Sequence, residues 1–277
     1  MEELKDYLVV VSWWGQTTGD GEGMKTNQLM HQIFASAQKF GTQIAIHLEP
    51  YEGRSEKSVK SDIQYLIDSY GKYTSFARLN SKPILYIYDS YLTPANDWST
   101  ILSPTGENTI RGTLYDAVVL GLYLRGESKQ HIKESHMDGF YTYFAAEGFT
   151  EGATPAYWNE IVRWGNENDL LSSISVGPGY DDTRIRPWNA ANKKERNHGE
   201  YYNRMWETAI QSAPSFISVT SYNEWMEGTQ IESAKPMEIP DSIINKHQPY
   251  SYDDYSPHNP DYYIQLTTYW ARKFALK

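Results

Sequence analysis

The stretch Phe216-Ile217-Ser218-Val219-Thr220 runs directly into Ser221-Tyr222-Asn223-Glu224-Trp225-Met226-Glu227-Gly228. Its first part is mostly apolar, β-branched or aromatic, which is typical of a buried strand. Two carboxylates, Glu224 and Glu227, follow the end of that strand. A charged group at such a place has to be paired, hydrated in a cleft or tuned for proton transfer. The stretch therefore predicts a strand whose carboxyl end carries chemistry.

Six segments upstream have the same strand-like character, and we expect them to be strands buried on both faces. They are Leu8 to Trp13, Gln43 to Leu48, Pro83 to Tyr88, Ala117 to Leu122, Gly139 to Tyr143 and Leu171 to Val176.

Between these strands the apolar residues recur at helical spacing, which predicts amphipathic helices. The helical patterns are Leu29, Met30, Ile33, Phe34 and Ala37 before Gly41; Val59, Ile63, Leu66, Ile67 and Tyr70 before Gly71; Tyr157, Ile161, Val162 and Trp164; Met205, Trp206, Ala209 and Ile210 before Pro214; and Tyr262 to Phe274. The repeated order of strand and helix predicts parallel strands joined by helical crossovers.

Polar and aromatic side chains gather just after nearly every strand. They are Trp14, His47, Glu49, Tyr51, Asp89, Tyr143, the loop from Gly177 to Asp182, Asn223, Glu224 and Glu227. A (β/α)₈ barrel has its active site at the carboxyl ends of its strands. A doubly wound open sheet concentrates its ligands at one switch point. The distribution therefore favours an α/β fold of the (β/α)₈ TIM-barrel type.

A closed barrel of this type needs eight strands, and seven are recognisable in the sequence. Either one strand is unrecognised, or the chain lacks the first βα unit and forms an incomplete barrel. No internal repeat or linker marks a second domain, so residues 1–277 are predicted to form a single domain. The stretch from Lys235 to Pro260 has no clear periodicity and is predicted to be a long surface loop.

Composition excludes several classes of function. The formal net charge of −10 over 277 residues argues against nucleic acid as a partner. No apolar run approaches the roughly 20 residues of a membrane span, and no signal peptide is recognisable. The sequence has no cysteine, so disulfides and thiolate metal sites are excluded.

The excess of aromatic residues points to a carbohydrate ligand. The chain has 23 Tyr and 9 Trp, whose rings can stack on sugar faces while their polar tips bind hydroxyls. The alternative is that most of these rings pack in the core. Beside such rings, Glu224 and Glu227 are predicted to be the acid/base pair of a glycosidase. The alternative for this pair is that both only bind hydroxyls or pair with Arg186.

Four further residues are predicted to contact a sugar. His47 and Glu49 alternate at one strand end and share a face, which favours hydroxyl recognition. A metal pair is disfavoured because there is no His-Glu-x-x-His motif and no obvious third ligand. Trp14 is predicted to be a stacking wall or a packing residue at the rim. Asp89 is predicted to bind hydroxyls or to make a structural hydrogen bond.

The remaining candidates lie on later loops. Tyr143 has the same two interpretations as Asp89, and Tyr51 and Asn223 join the predicted substrate-binding set. The loop from Gly177 to Asp182 lacks the spacing of a phosphate cradle, so its glycines are expected to let backbone approach the substrate. Arg186 and Trp188 are predicted at the lip of the site. The alternative for Arg186 is a structural pairing with Asp181 or Asp182.

Six motifs occur in this order: His47-Leu-Glu-Pro-Tyr51, Tyr86-Ile-Tyr-Asp-Ser-Tyr91, Asp138-Gly-Phe-Tyr-Thr-Tyr-Phe-Ala145, Ser175-Val-Gly-Pro-Gly-Tyr180, Ile185-Arg-Pro-Trp-Asn189 and Asn223-Glu-Trp-Met-Glu-Gly-Thr-Gln-Ile-Glu232. Together they closely resemble glycoside hydrolase family 99, the endo-α-mannosidases, and the likeness runs from about Val9 to the C-terminus. The resemblance implies a (β/α)₈ barrel that cuts α-mannosidic bonds inside an N-glycan or a mannan, without a cofactor.

The resemblance also implies the roles of the two carboxylates. Glu224 would act as general base on the sugar 2-hydroxyl, which forms a 1,2-anhydro intermediate, and Glu227 would protonate the leaving oxygen and then activate water. Two departures are visible. The family's first strand would precede Met1, and Met226 stands where the animal enzymes have histidine.

Two alternatives belong to other classes, and the first of them follows from the strand count. One is a catalytically inactive relative with exposed strand edges. The other is a glycan-binding protein that uses the same cleft without hydrolysis. Animal family members are anchored in the Golgi, so the Golgi lumen is the expected location only if the chain is an animal member. The sequence predicts neither the outer sugar of the substrate nor the oligomeric state.

Overall fold

The computed structural model describes residues 7–21, 23–183, 185–234 and 254–276. The chain divides into two compact units, Met1–Tyr141 and Thr142–Lys277, and each is described by itself. The predicted loop from Lys235 to Pro260 lies mostly outside the described residues. The single domain over residues 1–277 stays a prediction.

The first unit is built on parallel strands. Its strands are β1 (Leu8–Trp13), β2 (Gln43–Leu48), β3 (Arg78–Leu79), β4 (Lys82–Ile87), β5 (Val118–Leu122) and β6 (Gly139–Tyr141). β1, β2, β4, β5 and β6 pair in that order, each pair parallel, whereas the two-residue β3 is antiparallel to β4. The helices are α1 (Met30–Phe40), α2 (Glu56–Tyr70), α3 (Ala95–Leu102) and α4 (Glu127–Glu134).

The second unit continues the strand–helix order. Its elements are α5 (Pro155–Glu167), β7 (Leu171–Val176), α6 (Glu200–Ser212), β8 (Phe216–Val219) and α7 (Tyr262–Ala275). β7 and β8 are parallel, in register from Ser173 opposite Phe216 to Val176 opposite Val219. The described residues therefore contain seven strands that pair in parallel, and the prediction of an incomplete (β/α)₈-type fold is confirmed.

The strands pack mainly through apolar residues, but two of them depart from the prediction. β2, β4 and β5 are buried almost throughout. β1 and β8 are half-exposed, and Val9 on β1 is 45 % exposed, so burial on both faces was wrong for these two. Among the described pairings, β1 pairs with β2 and β8 pairs with β7. A strand paired on one side lacks the cover that a central strand has.

Local signals explain where two of the helices begin and end. α1 ends at Gly41, whose φ of 73° is the left-handed conformation that glycine adopts without strain. α2 begins at Ser55, whose side chain accepts from the Ser58 amide while the Ser58 hydroxyl accepts from the Ser55 amide. This reciprocal pair is a capping box. No helix within the described ranges is both long enough and apolar enough to cross a bilayer.

Candidate active site

In the first unit, three side chains form a buried network at the ends of β2 and β6. Nδ1 of His47 lies 2.6 Å from Oε1 of Glu49, and Nε2 of His47 lies 2.8 Å from the hydroxyl of Tyr141. A neutral imidazole satisfies both contacts, with Nδ1 donating to the carboxylate and Nε2 accepting from the hydroxyl. The predicted shared face of His47 and Glu49 is confirmed. Tyr141 is not among the predicted site residues, although it lies in both the predicted strand and the motif of residues 138–145.

The described residues contain no group of three or more His, Cys, Asp or Glu side chains placed to hold a metal ion. The His47–Glu49 network instead consists of polar tips buried beside aromatic rings. The rings of Tyr88 and Tyr141 have their centroids 5.3 and 5.5 Å from that of His47. This cluster combines hydrogen-bonding groups with flat aromatic rings, the two kinds of group that sugars use.

The loop after β2 is anchored by a residue that sequence reasoning missed. Arg54 donates from Nη1 to the carbonyl of Tyr88 and from Nη2 to the carbonyl of Asp89, each at 2.7 Å. Burial lowers the pKa of Arg54. Both acceptors are backbone atoms far along the chain, so no local sequence signal marks this contact.

Asp89 follows β4 with a φ of 47°, a left-handed conformation that aspartate tolerates better than most residues. Burial raises the pKa of the Asp89 carboxyl, while a hydrogen bond with Tyr91 and the charge of Arg54 oppose that rise. Its carboxyl therefore has a structural partner. Its predicted role as a ligand for sugar hydroxyls stays a prediction.

Trp14 and Tyr51 lie on neighbouring loops of the first unit, after β1 and β2. Trp14 is half-buried, and its carbonyl accepts from the hydroxyl of Thr18. The hydroxyl of Tyr51 donates to Oδ2 of Asp62 and lies 2.8 Å from Oγ of Ser58. Burial, followed by the hydrogen bond to Asp62, raises the pKa of Tyr51. The Tyr51 hydroxyl is thus held within the protein.

In the second unit, the segment after β8 carries both predicted catalytic carboxylates. Glu224 precedes a single 3₁₀ turn, Trp225–Glu227, that ends at Gly228 with a φ of 63°. The backbone amide of Glu224 donates to Oγ of Ser221, and its carbonyl accepts from the amide of Thr229. The side chain of Glu224 is exposed and that of Glu227 is half-exposed. The backbone is therefore fixed while both carboxylates remain accessible to solvent.

Arg186 joins Glu227 to a second carboxylate. Its Nη1 donates to Oε1 of Glu227 at 2.9 Å and to Oδ2 of Asp182 at 3.0 Å. These two hydrogen bonds raise the pKa of Arg186. Asp182 is almost fully buried and also accepts from the side chain of Asn189. The predicted pairing of Arg186 with Asp182 is confirmed, whereas Asp181 pairs with Lys193 instead.

Three other predicted residues of the second unit are either exposed to solvent or fixed by hydrogen bonds of their backbone. Trp188 is 81 % exposed, and Asn223 is exposed at the start of the carboxylate segment. Tyr143 was predicted to end a strand, but β6 ends at Tyr141, and Tyr143 has a φ of 61°. Its amide donates to Oγ of Ser175 and its carbonyl accepts from Oγ1 of Thr220. The contacts of all three with a sugar stay predictions.

Comparisons with known proteins identify relatives of this chain. The sequence matches the model of Glycosyl hydrolase family 99 over residues 5–276. It is 37 % identical over 273 residues to the glycoprotein endo-alpha-1,2-mannosidase of Rattus norvegicus, covering 97 % of this chain and 57 % of the relative. It is 39 % identical over 282 residues to a glycoprotein endo-alpha-1,2-mannosidase-like protein of Homo sapiens, covering 99 % of this chain and 60 % of the relative.

A solved structure shares the fold. The GH99 endo-alpha-mannosidase of Bacteroides thetaiotaomicron is 42 % identical, with a TM-score of 0.88 over 98 % of this chain and 76 % of that structure. The chain spans about three fifths of the length of the curated relatives it matches. Because the family match covers nearly the whole sequence, the chain belongs to glycoside hydrolase family 99.

Proposed function

We propose that this protein is a retaining, endo-acting α-mannosidase that cleaves internal α-mannosidic bonds of a glycan without a cofactor. The observation that carries the proposal is the Trp225–Glu227 turn after β8, which brings Glu224 and Glu227 onto one short, fixed segment. Membership of the family and the names of the similar proteins support the same activity.

In the proposed first step Glu224 takes the proton of the mannose 2-hydroxyl. The freed oxygen attacks the anomeric carbon, and the bond from that carbon to the leaving sugar breaks. Glu227 gives its proton to the departing oxygen. The axial 2-hydroxyl of mannose lies trans to an α leaving group, so this internal displacement is stereochemically allowed. The product of the step is a 1,2-anhydro sugar.

In the second step the Glu227 carboxylate takes a proton from water, and the resulting hydroxide opens the anhydro ring at the anomeric carbon. Glu224 returns its proton to the 2-oxygen. Two inversions give net retention, and no bond between enzyme and sugar is formed. Arg186 supports both steps because it donates to Glu227 and also to Asp182, which is almost fully buried. The contact with Asp182 fixes the guanidinium and thereby keeps Glu227 in place.

We assign the binding of sugar hydroxyls to polar groups at the carboxyl ends of strands. In the first unit these are His47, Glu49, Tyr51 and Asp89, with Trp14 as the stacking surface. In the second unit they are Tyr143 and Asn223, together with Arg186 and Trp188 at the lip of the site, on the long loop after β7. The substrate is an α-mannosyl oligosaccharide of N-glycan or mannan type.

The test is incubation of the protein with defined α-mannosyl oligosaccharides, followed by NMR of the first-formed product anomer. We expect the α-anomer of the released reducing sugar. Glu224→Gln and Glu227→Gln are each expected to lower turnover at least about a hundredfold without unfolding the protein. Glu147→Gln is the matched control, because Glu147 pairs on the surface with Arg204.

Turnover that is unchanged in both glutamine variants would refute the assignment of the pair. Binding of the oligosaccharide without release of reducing ends over long incubation would instead identify a glycan-binding protein. Absence of both binding and turnover would identify an inactive relative.

A further inference from the structure

Asp62 is a buried carboxylate on an otherwise apolar helix face. It lies on α2 in the stripe that also buries Val59, Ile63 and Leu66, and it is 4 % exposed. Burial raises the pKa of Asp62, because apolar surroundings disfavour the charged form, while the hydrogen bonds from Tyr51 and Gln16 oppose that rise. A carboxylate in such a stripe is unfavourable unless donors satisfy it.

The two oxygens of Asp62 accept hydrogen bonds from two different loops. Oδ1 accepts from Nε2 of Gln16 at 3.1 Å, and Gln16 lies on the loop after β1. Oδ2 accepts from the hydroxyl of Tyr51, which lies on the loop after β2. One side chain of α2 therefore joins the two loops that carry Trp14 and Tyr51.

The two loops also touch each other beside this carboxylate. Gly15, between Trp14 and Gln16, has a φ of +83°, and a Cβ added there would lie 3.2 Å from Cε1 of Tyr51. The carbonyl of Gln16 accepts from Nδ2 of Asn27 at 2.9 Å, which fixes the loop from its other side. The turn at Gly15 thus has little freedom as long as Gln16 and Tyr51 both remain on Asp62.

Packing of α2 alone does not require a carboxylate at this position. The amino end of the helix is satisfied by Ser55 and Ser58, and an apolar residue would suit the buried stripe. The only donors that the described hydrogen bonds give to the Asp62 side chain come from Gln16 and Tyr51. The carboxylate thus serves the loops rather than the helix.

We propose that Asp62 is a positioning residue that holds the loops after β1 and β2 in the arrangement that binds the sugar. The inference rests on the proposed function, because that function places Trp14 and Tyr51 against substrate. Asp62 itself does not touch the reacting atoms. Its loss should weaken binding of ground state and transition state alike, which raises KM and leaves kcat nearly unchanged.

The experiment compares Asp62→Ala and Asp62→Asn with wild type, using a defined α-mannosyl oligosaccharide. We expect Asp62→Ala to raise KM about tenfold with kcat within about twofold. Asp62→Asn keeps one acceptor oxygen, so its KM should lie between those of wild type and Asp62→Ala. It therefore preserves the test if the alanine variant folds poorly. Binding of the same oligosaccharide, measured by calorimetry in a Glu227→Gln background, should weaken by the same factor.

Asp116→Asn is the matched control. Asp116 is a half-buried carboxylate of the same unit, bound by Lys82 and Arg111 and remote in sequence from both loops. The Asp116→Asn substitution should lower the melting temperature without changing KM. If the Asp62 variants lower the melting temperature but leave KM and the binding constant unchanged, Asp62 is only a structural residue and the inference fails.

Amide hydrogen exchange separates this failure from failure of the proposed function. Asp62→Ala should speed exchange at residues 14–18 and 50–54, and Asp116→Asn should not. Faster exchange in both loops, in a protein that neither binds nor cleaves the sugar, would refute the proposed function. It would still support the inference that Asp62 holds the two loops. Unchanged exchange in both loops would overturn the inference that Asp62 holds them, whether or not the protein is active.

Discussion

Arg186 uses a single nitrogen, Nη1, to bind two carboxylates of very different exposure. The side chain of Asp182 is 1 % exposed and that of Glu227 is 24 % exposed. Removing the guanidinium therefore leaves one buried charge without its cation and one proposed catalytic group without its anchor. The two consequences are separately measurable, as stability and as activity.

We expect Arg186→Met to lower kcat/KM at least about tenfold, because Glu227 is no longer held. The free energy of unfolding should fall by about 1–3 kcal/mol, because Asp182 keeps only the weaker donors around it. Steady-state kinetics and urea unfolding measure the two effects. Arg204→Met is the control, since Arg204 pairs with Glu147 at the surface. Its loss should lower the free energy of unfolding by less than about 1 kcal/mol. Equal effects of the two substitutions would contradict the role of Arg186.

Asp116 gives a residue-scale prediction of pH dependence. Burial acts to raise the pKa of its carboxyl, but the amide of Gly112 and the cations of Lys82 and Arg111 outweigh it and lower the pKa below the ordinary value. Because the folded pKa is depressed, the carboxylate stabilises the fold above the unfolded pKa. That contribution is lost as the pH falls through the folded pKa.

We therefore expect Asp116→Asn to melt at a lower temperature than wild type at pH 7, and we expect this difference to be smaller at about pH 3, below the ordinary pKa of aspartate. Thermal unfolding followed by circular dichroism at the two pH values is the measurement. A melting difference that is equal at both values would show that the charge of Asp116 contributes nothing to the pH dependence.

The sequence could locate candidate site residues only where a local pattern marks them. Glu224 and Glu227 follow a strand, and His47 and Glu49 alternate, so position along the chain predicted both pairs. Arg54, Asp62 and Tyr141 were missed. Their partners lie at distant positions along the chain, and Asp62 itself lies inside a helical stripe that predicts only apolar packing. Contacts of this kind depend on how elements come together, which one sequence does not show.

At the scale of single elements, α2 offers a sharp test of capping. Ser55→Ala removes the acceptor of the Ser58 amide and breaks the capping box. We expect a loss of about 1 kcal/mol, or about 2–4 °C in melting temperature. Ser61→Ala is the matched control, because Ser61 is exposed within the same helix and alanine is the better helix former there. A loss in the control as large as that in Ser55→Ala would contradict the capping argument.

Elements with strong periodicity or a clear stop were predicted from the sequence, and short ones were not. β1, β2 and β7 have the predicted bounds, and α1 ends before Gly41 as predicted. α3 and α4 were missed because each has eight residues, and α4 buries only Ile132. A helix this short takes its stability from packing rather than from its own sequence. The antiparallel pairing of β3 with β4 has too few residues to leave a pattern.

At the scale of the whole molecule, the small number of strands in the second unit bears on whether residues 1–277 form one folding domain. Its described strands are β7 and β8, a single parallel pair. A two-stranded sheet is marginal by itself, and parallel strands need cover on both faces. Since β8 is half-exposed, the second unit has little sheet core of its own. We therefore predict that residues 142–277 do not fold without residues 1–141.

Differential scanning calorimetry of the full chain tests this prediction. We expect one transition, with a calorimetric enthalpy close to the van't Hoff enthalpy, because neither unit should survive the unfolding of the other. Expression of residues 142–277 alone provides the complementary measurement, and it should give a chain without cooperative melting. Val9→Thr on β1 is an internal check. If the chain is a single cooperative domain, this substitution shifts the melting temperature of the one transition. If the two units are independent domains, it shifts only the transition of the first unit. Two resolved transitions, or a cooperatively melting 142–277 fragment, would assign the two units to separate domains.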